Sequence, residues 1–190
     1  MKNLPMYFID LETTGLSPHE DRIIEYCIVR YHYGYACSIQ GKVDPEDVKV
    51  SEPARKVNGY TKEDWKHACS QTHAYETIRL FTAESGIWVA HNVNFDLSFL
   101  RQLYRRNGDK LKARRSVDTY TLAVEHLVPM GLRKLSFDEI RKFMGWKVTP
   151  YHGAYKDAWE VYRFWRQCSR MGIKRKAFTW LRSIKYRCQS

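Results

Sequence analysis

Apolar residues fall along this chain in unbroken runs near its start and at helical spacing further on. Met6-Tyr7-Phe8-Ile9-Asp10-Leu11 is apolar apart from one acid. It has the length of a strand buried on both faces, and the turn-prone Thr13-Thr14-Gly15 ends it. Ile23-Ile24 with Tyr26 to Tyr31 predicts a second strand, and Tyr35 to Val43 a third, stopped by Asp44-Pro45. So short a turn at Gly34 predicts that these two form an antiparallel hairpin. Ile87-Trp88-Val89-Ala90 reads as a further short strand.

Helical spacing marks the other elements. Thr72 to Glu84 predicts one helix, and Phe95, Phe99 and Leu103 recur at i, i+4 and i+8 behind Asn94 as N-cap. Leu132 to Met144 has a helical pattern broken by Gly145. Pro150 and Gly153 then delay a helix carrying Ala158, Val161, Tyr162 and Trp165. Asp44 to Cys69 is the least patterned stretch and predicts a loop with one short helix. Strands first, then helices mixed with strands, predict an α/β domain with a mixed sheet.

Composition narrows the class. The 190 residues are 44% hydrophobic, enough for the core of one domain and too apolar for wholesale disorder. No apolar run approaches the ~20 residues of a membrane-spanning helix, and no secretory-type apolar segment follows Met1, so a cytoplasmic, membrane-free setting is expected. Five scattered cysteines, never spaced C-x-x-C, argue against a disulfide framework or zinc site and for a reducing compartment. The formal charge is +11, yet all 21 acidic residues lie at or before Glu160. The last 30 residues hold nine basic groups and no acid. Ile173, Ala177, Trp180, Leu181 and Ile184 share a helical face there, with Lys174, Arg175, Arg182 and Lys185 off it. Such a segment suits a nucleic-acid strand, a protein partner or docking on the domain itself.

Three groups of residues carry candidate chemistry. Asp10 and Glu12 sit two apart on a strand and so point to one face, at the end of a buried run where bare carboxylates are costly. A lone D-x-E is more often a solvated strand end, so the pair is a weak signal by itself. Asp96 opens a helix directly after a strand, where an acid complements the helix dipole and where α/β folds also build sites. His152 and Asp157 would diverge on one continuous helix, at a net rotation of ~140°. They share a site only if His152 precedes the helix, on the loop that Pro150 and Gly153 provide. A histidine there suits general-base work, its ordinary pKa being ~6.5. Asp10, Glu12, Asp96 and Asp157 together suit two Mg²⁺ or Mn²⁺ ions at ~3.5–4 Å separation.

Phe8-Ile9-Asp10-Leu11-Glu12-Thr13-Thr14-Gly15-Leu16 resembles the first motif of the DEDD exonuclease superfamily. His91-Asn92-Val93-Asn94-Phe95-Asp96 resembles its second motif and His152-Gly153-Ala154-Tyr155-Lys156-Asp157 its third. The H-x4-D spacing is that of the DEDDh, or DnaQ-like, branch, which includes the proofreading epsilon subunit of bacterial replicative polymerase. Val117-Asp118-Thr119 matches a lesser element, and Asn58 stands where that branch usually has histidine before a glycine. The resemblance implies a ribonuclease-H-like five-stranded mixed sheet flanked by helices, spanning residues 1–166, with residues 167–190 as a basic aromatic extension. It implies 3′→5′ exonucleolysis of a nucleic acid with a free 3′ end to nucleoside 5′-monophosphates. In it Asp10, Glu12, Asp96 and Asp157 hold metal and His152 is the base. Thr13, Thr14, Gly15 and Leu16, with Asn92 and Phe95, hold the terminal nucleotide. Single-stranded DNA is the favoured substrate, and a polymerase or other protein would engage the extension. Trimming of RNA ends, and a non-catalytic nucleic-acid-binding module, are the alternatives.

Overall fold

The computed structural model describes residues 4–170. The basic aromatic face expected over Ile173 to Ile184 lies outside the described residues. Five strands form one sheet in the order β3-β2-β1-β4-β5: β1 Met6–Thr13, β2 Ile23–His32, β3 Tyr35–Lys42, β4 Ile87–Ala90 and β5 Arg115–Asp118. β1 runs antiparallel to β2 and parallel to β4, and β5 continues parallel to β4. The expected mixed sheet is therefore present. The β2–β3 hairpin turns at Tyr33 and Gly34, both at positive φ (48° and 91°), the backbone twist that matches flanking strands.

Among the described residues six α-helices flank the sheet: α1 Glu52–Asn58, α2 Gln71–Phe81, α3 Val93–Arg106, α4 Thr119–His126, α5 Phe137–Phe143 and α6 Ala154–Ser169. Central position explains why β1 lacks alternation. Phe8 joins the core formed with α4, α5 and α6, whereas Tyr7, Ile9 and Leu11 join the core formed with α2 and α3. Even-numbered β1 residues therefore face α6, which directs Asp10 and Glu12 toward it.

The elements differ from the sequence pattern in several places, α2 for instance spanning Gln71–Phe81 rather than Thr72 to Glu84. Leu132 to Leu135 is not helical: α5 begins only after Ser136, whose hydroxyl caps the Glu139 N–H, and Leu132 is buried by packing instead. β5 and α4 were not evident as elements, because β5 is a short edge strand with exposed Arg115 and Ser116. α3 begins at Val93 with Asn92, not Asn94, as N-cap. Asn92 adopts left-handed φ 67° and makes no side-chain cap. Asp118, distant in sequence, caps in its place, accepting from the Asn92 and Val93 N–H groups at 3.0 and 3.1 Å.

Candidate active site

The candidate acids arrive on three elements. Asp10 and Glu12 lie at the end of β1, Asp96 in the first turn of α3, and Asp157 in the first turn of α6. His152 precedes α6 on a loop, as the spacing argument required, and its backbone N–H donates to the Val57 carbonyl of α1 at 2.9 Å. Ligand atoms of Glu12, His152 and Asp157 lie within 4.8 Å of one another, the one such group among the described residues. Asp10 and Asp96 fall outside that trio but couple to it through charge. Glu12, Asp96 and Asp157 are 7%, 4% and 4% exposed.

Electrostatics separate the four acids. Burial, then repulsion from Asp157, Glu12 and Asp96, holds the Asp10 carboxyl well above the usual range. Part of the Asp10 residue reaches solvent, yet protein is dense around its carboxyl. Burial pushes Glu12 up to about 8, against the opposing pull of His152. Burial also holds Asp96 well above its ordinary value, although the Asp96 and Leu11 N–H groups donate to it. Asp157 moves the other way. Burial raises it, but the His152 hydrogen bond and the Arg141 charge outweigh burial and keep it ionised. His152 Nδ1 meets Asp157 Oδ2 at 3.0 Å, and that bond raises the imidazole pKa against burial. Three acids that resist ionisation beside one another are an oxygen-donor set that fits a hard divalent cation.

A cleft of about 680 Å³ opens beside Glu12. Thr13, Gly15, Leu16 and Phe95 line it, together with Asp21 and the α1 residues Pro53, Ala54 and Val57. Leu16 is 84% exposed there. Thr14 and Asn92 do not line it. Thr14 is fully buried, with its hydroxyl on Asp21 Oδ1 at 2.7 Å and its N–H on the Arg22 carbonyl, so it shapes the loop. Asn92 stays exposed at the start of α3.

A family model described as exonuclease, RNase_T, matches residues 7–164. The chain belongs to this exonuclease family. As such it is a nuclease, a phosphodiester hydrolase. It is 31% identical over 150 residues to a DNA polymerase III PolC-type of Thermotoga maritima, covering 79% of this chain and 11% of that one. The chain thus spans about a tenth of the length of the curated relatives it matches. Among solved structures, Escherichia coli exonuclease I in complex with a dT13 oligonucleotide superposes with TM-score 0.74 at 19% identity, covering 86% of this chain and 40% of that one. A zinc-bound form of its single-stranded DNA complex gives 0.71 at 20%, covering 87% and 40%. These neighbours share the fold. No described helix of the exonuclease domain is long and apolar enough to cross a membrane.

Asp21 and Arg141 are not named by the sequence pattern, which gives Asn58 and Asp118 only as positions of the resemblance, without their contacts. Asp21 accepts the Thr14 hydroxyl and the Ser17 N–H, and Asp118 caps α3. Asn58, at the histidine position of the resemblance, donates from Nδ2 to the Thr13 carbonyl at 3.2 Å and accepts the Tyr60 N–H. Arg141 lies directly behind Asp157. Asn58, Asp118 and Arg141 reach Thr13, Asn92 and Asp157, which lie 45, 26 and 16 residues away, a separation periodicity does not carry, and the partners of Asp21 lie within one irregular loop.

Proposed function

We propose that this domain removes nucleotides from the 3′ end of single-stranded DNA as nucleoside 5′-monophosphates, with two Mg²⁺ or Mn²⁺ ions. The observation that carries this reading is the convergence of Asp10, Glu12, Asp96 and Asp157 beside a cleft of nucleotide size. DNA is favoured because the curated relatives are named DNA polymerase III PolC-type and the structural neighbours were solved with a dT13 oligonucleotide and with single-stranded DNA. A polymerase is the corresponding protein partner, reached through the extension beyond Arg166.

Glu12 and Asp157, with Asp10 and Asp96, would hold the cations. Bound there, the ions supply neutralisation of the phosphate oxygens and activation of the attacking water. The protein supplies the rest. His152 has Nδ1 turned to Asp157, and Nε2, 3.9 Å from Asp138 Oδ2, is the nitrogen that would accept the water's proton. Leu16 and Phe95 offer apolar surface on which the terminal base packs, a contact that does not depend on base identity. Thr13 and Gly15 form the wall next to the sugar, and Asn92, exposed at the start of α3 and outside the cleft lining, would meet the strand beyond it.

The test is digestion of matched 5′-labelled DNA and RNA. The expected product is a ladder shortening from the 3′ end with release of mononucleotides, fastest on single-stranded DNA and stopped by EDTA. Faster loss of RNA, or internal cuts, would overturn the reading.

The cleft wall makes a narrower prediction. A Cβ on Gly15 would fall 2.5 Å from Asp21 Oδ2, the carboxylate that ties Thr14 to Ser17. Gly15→Ala is expected to displace Asp21, raise KM for single-stranded DNA roughly tenfold and cost about 1–3 kcal/mol of stability. Steady-state kinetics with an unchanged KM would show that the loop does not hold the nucleotide.

A further inference from the structure

Arg141 is 2% exposed, the largest fully buried side chain among the described residues. Its guanidinium is held on three sides. Nη1 donates to Asp138 Oδ1 at 2.6 Å, Nε to Glu160 Oε2 at 2.7 Å and Nη2 to Asp157 Oδ1 at 2.5 Å. Its plane lies over the Phe137 ring, 4.8 Å from the centroid. Asp138 and Phe137 come from α5, Asp157 and Glu160 from α6, so the fork is locked by both helices. A planar guanidinium pinned by two other carboxylates has a fixed direction left for the third.

Asp157 is thereby divided between its two oxygens. Oδ1 belongs to Arg141 and Oδ2 faces His152, while Glu12 lies in the same group of ligand atoms. We propose that Arg141 is a positioning residue, which grips Asp157 from behind and presents Oδ2 to the cation. This rests on Asp157 being a cation ligand. It adds a residue that neither the motifs nor the cleft named. A cation placed behind a metal ligand has two opposed effects. Its charge repels the incoming ion, while its fork fixes the ligand's orientation; partners of this kind are worth ~10–100-fold in metal affinity. The sign of the change on removing Arg141 decides which effect governs.

The experiment is calorimetric Mn²⁺ titration of metal-free wild type, Arg141→Gln and Arg141→Lys, with folding checked by circular dichroism and Tm. Positioning predicts that Mn²⁺ binding weakens by ~10–100-fold in both variants, and in Lys despite its retained charge. A purely structural cation predicts unchanged or tighter binding in folded variants, and that result overturns the inference while leaving the cation site intact. Wild type that binds no Mn²⁺ overturns the cation reading itself. Should neither variant fold, the wild-type Arg141 Nη2–H resonance, the proton donated to Asp157, carries the test. It should keep its chemical shift and slow exchange when Mg²⁺ is added, and its loss would show that the fork lets go.

Discussion

Asp10→Asn is expected to reduce hydrolysis at least ~10³-fold and, in the absence of divalent cations, to raise Tm at pH 8. Both effects have one cause. Asp10 is held well above the ordinary carboxylate range by burial and by Asp157, Glu12 and Asp96. A buried acid of raised pKa binds its proton more tightly folded than unfolded. Its contribution is therefore full below the unfolded pKa and is lost as pH rises through the folded one. For Glu12 that window runs from its ordinary 4.5 to about 8. The cation-free wild type should lose stability across this range, and Mg²⁺ should restore it. Asn at position 10 removes one charge from the cluster, so less stability is lost. A gain of roughly 5 °C is reasonable at about 2–4 °C per kcal/mol for a domain of this size. On the proposed cation reading activity falls because the site loses a ligand, and ~10³ in rate corresponds to about 4 kcal/mol. Thermal scans from pH 5 to 8 with and without Mg²⁺, alongside a cleavage assay, test both halves. Near wild-type cleavage by the variant, or a lower Tm at pH 8, would contradict this account.

His152→Ala is expected to lower kcat by ~10²–10⁴ with KM for single-stranded DNA nearly unchanged. His152 is half-exposed on its loop and makes no part of the cleft lining, so substrate binding does not depend on it. It must be neutral to take a proton. The Asp157 hydrogen bond raises its pKa, with burial opposing, so the wild-type rate should climb with pH through a value above ~6.5. The sign for stability is the reverse. The charged His152–Asp157 pair supports the cation-free fold fully below ~6.5 and loses that support as pH rises through the raised value. In the variant the ascending limb attributed to His152 should vanish. Superimposable pH–rate profiles would remove His152 from the role of base.

Much of this architecture was legible before any coordinates. The continuous apolar run of β1 announced a strand covered on both faces, and the Gly34 turn announced its hairpin neighbour. The placement of His152 ahead of α6 followed from helix geometry, because five residues of continuous helix would have turned it away from Asp157. Legibility failed where a residue's partner is remote. Asn94 had the chemistry of an N-cap, but Asp118, 26 residues from Asn92, does the capping. Leu132 had helical spacing but is buried by tertiary packing ahead of α5. Thr14 is a different case: its motif pointed to the nucleotide, while its hydroxyl goes to Asp21 in the same loop, seven residues on.

The net charge of +11 proposed a polyanionic partner without saying where the chemistry lies; the acids say that. By itself the sequence determined the family, the strands and helices with strong periodicity, and the residue types from which the proposed site is built. Those depend on local spacing and on covalent identity. Only the tertiary structure decided how each acid is charged and held. Asp10, Glu12 and Asp96 are pushed toward protonation, while Asp157, of the same type and in the same cluster, stays ionised against a buried arginine. Burial, repulsion and a guanidinium fork act through space over a few ångströms, between segments more than a hundred residues apart in the chain, as Asp10 and Asp157 are.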